Sequence, residues 1–104
     1  MALQINKNLT SKDGASVPSG SYVKMEVYFP MEEDSVSVSM KVWRNQGAYI
    51  GGLAPYRPID IPSLNYTKEL TPEEMSGMTP TQIHIDTKAY LETYVGEGNV
   101  DIVQ

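Results

Sequence analysis

The chain has 104 residues, of which 40% are hydrophobic and 20% charged, as expected for one globular domain spanning residues 1–104. With 8 Lys and Arg against 13 Asp and Glu, its net charge is −5, which argues against nucleic acid or an anionic membrane as a partner. The absence of cysteine excludes disulfides and thiolate metal sites and favours a cytosolic origin.

The first predicted strand covers residues 2–9, where Leu3, Ile5 and Leu9 alternate with polar residues. Residues 10–21 read TSKDGASVPSGS and are rich in Ser, Gly, Asp and Pro. This composition predicts a loop, with turns at residues 13–14 and 18–20.

The stretch 22–43 predicts a β-hairpin, because each of its halves alternates apolar with polar residues. The apolar residues are Val23, Met25, Val27, Phe29, Val36, Val38, Met40 and Val42. They share one face, which other elements must cover, and the five residues 30–34 suit the hairpin loop. Tyr22, Tyr28 and Trp43 are then placed on the opposite face, although a one-residue slip in register would invert both faces.

A turn at residues 44–47 predicts a third strand at residues 48–50, paired with the second half of the hairpin. Residues 53–64, LAPYRPIDIPSL, contain three prolines, which exclude a central strand or a helix. We expect this proline-rich arm to lie extended over the surface. Residues 55–58 also match the P-x-x-P ligand pattern of adaptor domains, a pattern that is common by chance.

Two helices are predicted next. Thr71, Pro72 and Glu74 form a capping-box pattern for a short helix that Gly77 ends. Thr79 and Pro80 repeat the pattern for a longer helix at residues 80–95, which Gly96 ends and which carries Ile83, Tyr90, Leu91 and Tyr94 on one face. The alternative is a short strand at residues 82–86, because Ile83 and Ile85 alternate with polar residues.

Residues 100–103 predict a last short strand. The predicted fold class is therefore α+β, a small antiparallel sheet of the hairpin at residues 22–43 and flanking strands, covered by one or two C-terminal helices. The two terminal strands either offer open edges to another chain or pair with each other or with the hairpin.

No catalytic, metal or cofactor motif is found in the sequence. The only histidine is His84, and it has no partner motif for nucleophilic catalysis. Residues 32–34, Glu-Glu-Asp, lack the spacing of a calcium loop and predict a solvated turn. We expect no enzyme activity, no cofactor and no bound metal, and also no membrane span and no cleavable signal peptide.

Residues 13–22, DGASVPSGSY, fit the pattern D-G-x-x-[VI]-P-x-G-[ST]-Y leading into a hydrophobic strand, and residues 90–100 read YLETYVGEGNV. These stretches resemble small accessory structural proteins of tailed bacteriophages. The resemblance implies a capsid-associated, head-fibre, neck or tail component of a virion, made in the host cytoplasm and binding itself and other virion proteins. It assigns no functional residues.

Seven tyrosines and six methionines accompany the proline-rich arm, a composition that suits protein–protein contacts. The predicted contact residues are Tyr22, Tyr28, Trp43, Tyr49, Tyr56 and Arg57. Two hypotheses follow: a non-enzymatic virion subunit that forms homo-oligomers, and a small acidic binding or regulatory protein such as an inhibitor of a host enzyme.

Overall fold

A five-stranded antiparallel sheet built around the predicted hairpin forms the framework of the protein, in a computed structural model that describes residues 2–29 and 35–103. The elements in chain order are β1 (Ala2–Ile5), β2 (Leu9–Thr10), β3 (Ser16–Val17), β4 (Ser21–Tyr28), β5 (Ser35–Trp43), α1 (Gln46–Ile50), β6 (Asn65–Glu69), α2 (Pro72–Ser76), α3 (Pro80–Val95) and β7 (Val100–Val103). The predicted hairpin turn at residues 30–34, with the acidic residues 32–34, lies outside the described residues.

The strand order in the sheet is β6-β5-β4-β1-β7, and every neighbouring pair is antiparallel. In the central pair, Val23 lies opposite Val42 and Tyr22 lies opposite Trp43, so the predicted apolar set shares one face. The helix α3 packs on this sheet, which confirms the α+β class.

The buried face of the hairpin is shorter than its apolar pattern predicts. Val23, Val38 and Val42 are fully buried, whereas Val27 and Phe29 near the hairpin end are exposed. The reason is that β1 pairs with β4 only from Ser21 to Val23, so among the described residues the last residues of β4 have no neighbouring strand on that side. The end of β4 is therefore open, whereas β5 beside it is mostly buried.

Both C-terminal helices begin and end as predicted. The Thr71 side chain accepts a hydrogen bond from the Glu74 amide while the Glu74 carboxylate accepts one from the Thr71 amide, a complete capping box for α2. The Thr79 side chain caps α3 by accepting a hydrogen bond from the Gln82 amide, while the Gln82 side chain donates to Asp86, and Gly96 ends the helix. The alternative strand at residues 82–86 is excluded, because these residues lie inside α3.

The predicted third strand at residues 48–50 is wrong, because these residues belong to α1. The side chain of Asn45 accepts a hydrogen bond from the Ala48 amide at 2.8 Å, which caps a short helix instead of closing a hairpin turn. The outer neighbour of β5 is β6, which pairs with it from Ser35 opposite Glu69 to Ser39 opposite Asn65.

The two chain ends pair with each other. The predicted first strand stops at Ile5, and β1 lies between β4 and β7, so its two edges are both covered. Residues 9–10 pair with residues 16–17 in a separate two-stranded sheet around the predicted turn at Gly14, whose φ is +90°. Within the described ranges, β6 and β7 are the edge strands of the main sheet.

Candidate protein-contact surfaces

The predicted contact residues fall into three separate places on the molecule. Tyr22, Trp43 and Tyr49 form one aromatic cluster, in which the ring of Tyr49 lies 5.3 Å from that of Tyr22 and 4.8 Å from that of Trp43. The Lys24 ammonium group lies over the rings of Tyr22 and Tyr49, at 5.8 and 5.5 Å. Through this cluster, α1 packs against the polar face of the hairpin.

This packing leaves little of the cluster for another protein. Tyr22 is 5% exposed and Trp43 is 9% exposed, while Tyr49 keeps 38% of its surface. The Trp43 indole N–H donates a hydrogen bond to the Leu53 carbonyl at 2.7 Å, so its polar atom is also satisfied within the chain. The face opposite the core is thus covered at this end by α1, an element that the sequence analysis assigned to the sheet.

The end of the hairpin is the second place and carries Tyr28, the most exposed of the predicted aromatic residues. Tyr28 is 64% exposed, and its neighbours Val27 and Phe29 are 39% and 42% exposed. These residues lie beyond the part of β4 that pairs with β1, and Val36 and Val38 on the adjacent strand β5 are buried, so the exposure is confined to the β4 side of the hairpin. Exposed apolar residues that lie side by side on a protein surface are a common feature of contact sites.

The third place is the proline-rich arm, which contains no helix or regular strand, forms isolated bridges at Tyr56 and Pro58, and turns at residues 59–60. The Tyr56 amide donates to the Val42 carbonyl at 2.6 Å, and the Lys12 amide donates to the Arg57 carbonyl at 2.8 Å. The arm therefore connects β5 with the small sheet through backbone hydrogen bonds. Its prolines have no backbone N–H group to donate. Ile61 of the arm is buried in the hydrophobic core.

A cavity of about 560 Å³ lies between the arm and β5. Its apolar wall includes Met40, Tyr56 and Ile61. Three cationic residues line it as well, and we refer to the whole as the cationic groove: Lys12, Lys41, Arg57, Met40, Tyr56 and Ile61. In the described part of the chain no Asp or Glu side chain lines this groove, although the protein as a whole carries a net charge of −5.

The cations of the groove have few acidic partners. Lys41 lies 3.7 Å from the Glu26 carboxylate, a pair in which both side chains are more than half exposed. Such a pair contributes little to stability and is easily exchanged for another. Across residues 2–29 and 35–103, neither Lys12 nor Arg57 forms an ion pair. The groove thus combines an apolar wall with positive charge that the fold leaves available.

The sequence analysis named Arg57 and Tyr56 but missed Lys12 and Lys41. Lys12 lies in the turn between β2 and β3, and Lys41 is one polar residue in the alternating pattern of β5. No local motif connects them, since only the path of the arm brings the three cations to one cavity. The only sequence pattern that pointed to this site was the P-x-x-P stretch that contains Arg57.

The remaining candidates for chemistry have structural partners. The Nδ1 atom of His84 lies 2.7 Å from the Pro80 carbonyl oxygen, one turn earlier in α3, so Nδ1 carries the proton and donates it there. Among the described residues, no group of three His, Cys, Asp or Glu side chains is placed to hold a metal ion. None of the helices formed by these residues has the length and apolarity to cross a membrane.

The two edge strands are charged or weakly apolar. Nearly all of β6 is exposed, and Lys68 on it lies 3.3 Å from the Asp86 carboxylate of α3. Charged side chains on an edge discourage pairing with another chain. Of the two predicted edges, the N-terminal strand is covered on both sides, and strand addition at β7 stays a prediction.

No family model, no curated protein and no solved structure matches this chain in a comparison with known proteins. Its function is therefore inferred from its own surfaces.

Proposed function

We propose that this protein is a non-enzymatic structural subunit of a tailed-phage virion that works through contacts with copies of itself and with other virion proteins. The observation that carries the proposal is the exposed apolar end of the hairpin, formed by Val27, Tyr28 and Phe29. The resemblance of residues 13–22 and 90–100 to accessory virion proteins supports the particle context. Head, neck and tail positions all agree with this chemistry.

An assembly that repeats the same contact in every subunit is stable even when each contact is small. One hairpin end exposes too little apolar area for a tight pairwise complex, because stable interfaces bury roughly 800 Å² on each partner. In a closed ring or a symmetric oligomer each subunit makes the same contact repeatedly, and the assembly gains avidity from the repetition. Tyrosine suits this role, because its ring is apolar and its hydroxyl tolerates water.

The test is the solution mass by light scattering after size exclusion, over about a hundredfold range of protein concentration. A defined dimer, trimer or ring that dissociates in the variant Tyr28→Ser/Phe29→Ser is the expected result. Ile85→Ser is the matched control, since Ile85 is also an exposed apolar residue but lies on α3. Equal loss of mass in the control variant would assign the contact to general surface hydrophobicity and contradict the role of the hairpin end.

The second candidate is a small acidic binding or regulatory protein, favoured by the net charge of −5. An acidic protein associates faster with a basic partner, and high salt suppresses that gain. A strictly monomeric protein that captures a basic partner in a salt-dependent way would replace the structural proposal with this one.

A further inference from the structure

We infer that the cationic groove binds the acidic residues 32–34 of a second copy of this chain. The inference rests on the proposed function, because it names the partner of the proposed assembly. Its basis is charge complementarity within one sequence: Lys12 and Arg57 line the groove without an ion pair among the described residues, and Glu32, Glu33 and Asp34 are three consecutive acids.

The groove is formed before any partner arrives. The Lys12 amide donates to the Arg57 carbonyl at 2.8 Å, so the backbones that carry these two cations are fixed to each other. On the opposite wall, the Tyr56 amide donates to the Val42 carbonyl on β5, next to Lys41. A preformed site loses little backbone entropy on binding, so more of the charge attraction appears as affinity.

The chemistry of the groove fits an acidic peptide better than a small hydrophilic ion. Arg57 offers a planar guanidinium that pairs with a carboxylate through two hydrogen bonds, while Lys12 acts as a point charge. The apolar wall of Met40, Tyr56 and Ile61 adds contact area for uncharged side chains. In the sequence, Met31 directly precedes the three acids and Pro30 precedes Met31.

Within one copy, Arg57 in the groove lies too far from residues 32–34 for this contact. Val42, which pairs with Tyr56 beside Arg57, is seven residues after Ser35 on the extended strand β5, a distance of about 23 Å. Residue 32 is three residues before Ser35 and reaches at most about 10 Å from it. A second copy supplies the acids without this limit.

The contact is therefore heterologous: the hairpin of one copy meets the groove of the next. Repetition of such a contact closes a ring when the rotation between copies allows it and otherwise gives a filament. Each copy uses both of its surfaces once.

Charge reversal tests the pairing. The groove variant is Lys12→Glu/Arg57→Glu, the acidic-stretch variant is Glu32→Lys/Glu33→Lys, and Lys7→Glu/Lys88→Glu is the control that changes the net charge as the groove variant does. Circular dichroism and thermal melting establish that each variant folds. We expect each of the first two variants alone to lose self-association by more than about tenfold, the control to keep it, and an equimolar mixture of the first two to restore it. Restoration follows because an acidic groove then meets a basic stretch.

A peptide of residues 28–36, YFPMEEDSV, provides a second readout on the wild-type protein. It should bind in a titration at low salt and weaken as salt rises, whereas the same peptide with Gln, Gln and Asn in place of the three acids should bind about tenfold more weakly or not at all. The groove variant should also fail to bind the acidic peptide.

The outcomes separate this inference from the proposed function. Self-association that persists unchanged in both charge-reversed variants overturns the inference and leaves the structural proposal standing. A wild-type protein that stays monomeric over the whole concentration range contradicts the assembly itself. In that case peptide binding at the groove supports the recognition of an acidic segment, and absence of peptide binding overturns it.

Discussion

One buried hydroxyl connects the edge strand β6 to the helix α3. Thr87 is fully buried, and its hydroxyl donates to the Ile83 carbonyl at 2.8 Å. The Tyr66 hydroxyl lies 2.7 Å from the same Thr87 oxygen, whose only proton is already used, so Tyr66 is the donor in that pair. The Tyr66 ring also stacks on Tyr90, with centroids 4.7 Å apart.

We expect Thr87→Val to lower the free energy of unfolding by about 1 kcal/mol, because the half-buried Tyr66 hydroxyl then loses its acceptor. Urea denaturation measures the change. Tyr66→Phe removes the other partner, and the double variant should cost less than the sum of the two single variants. Thr93→Val is the matched control on the exposed side of α3, where the expected change is within about 0.5 kcal/mol. Strict additivity would show that the pair makes no joint contribution.

At the scale of the element, the cap of α2 makes stability depend on pH. The Thr71 amide and the Thr71 hydroxyl, in that order of importance, lower the pKa of the Glu74 carboxyl below its ordinary value of 4.5. A carboxyl whose pKa is lower in the folded state stabilises the fold above its unfolded pKa. That contribution declines as the pH falls below about 4.5 and is lost once the pH passes the folded pKa.

Glu74→Gln keeps a side chain that suits the capping box but cannot ionise. We expect the difference in unfolding free energy between wild type and this variant to be present near neutral pH and to vanish in acid, as measured by urea denaturation over a pH series. Glu73→Gln removes the same charge from the same turn of α2 without touching the cap. A wild-type advantage that grows as the pH falls would have the wrong sign for this explanation.

The end of α3 requires a glycine for two separate reasons. Gly96 has a φ of +98°, and a Cβ atom there would lie 2.9 Å from the Asn99 side-chain nitrogen, which donates to the Val95 carbonyl. Gly98 has a φ of +84° but open space around it. Gly96→Ala should therefore lower the thermal midpoint more than Gly98→Ala, because backbone strain of about 1–3 kcal/mol acts in both but the clash acts in one. Equal losses would mean that Asn99 moves aside at no cost.

The elements that the sequence predicted are those with strong local signals. Alternation predicted the two long strands and which of their residues share a face, and cap residues such as Thr79 and Gly96 predicted both ends of α3. The strand β6 gave no such signal, because Tyr66 is the only large apolar residue in NYTKE and the other four are exposed and polar. It pairs with β5 because β5 has an open edge, which is a property of the fold and not of the segment. The helix α1 has five residues, too few for a periodic pattern.

At the scale of the whole molecule, sequence patterns contributed least to the cationic groove. Lys12, Lys41 and Arg57 come from a turn, a strand and the proline-rich arm, and the net charge of −5 hides the fact that they share one cavity. The exposed hairpin end was hidden in a similar way, since Val27 and Phe29 belong to the same alternating pattern as the buried Val23. Which part of an apolar face is covered depends on the strands and helices that lie beside it, and alternation does not carry that information.

The pairing of the two chain ends closes the core, and two residues of β7 test it. Val100 pairs with Ile5 and is fully buried, whereas Ile102 pairs with Leu3 and is 37% exposed. We expect Val100→Ala to cost about 1.5–3 kcal/mol and Ile102→Ala clearly less, even though the isoleucine loses more atoms, because the cost follows the burial of the deleted groups. Urea denaturation of both variants, with hydrogen exchange at the β1 amides, gives the comparison. If Ile102→Ala is the more damaging change, burial does not set the cost, because Val100 and Ile102 lie on the same face of β7 and differ only in how far that face is covered.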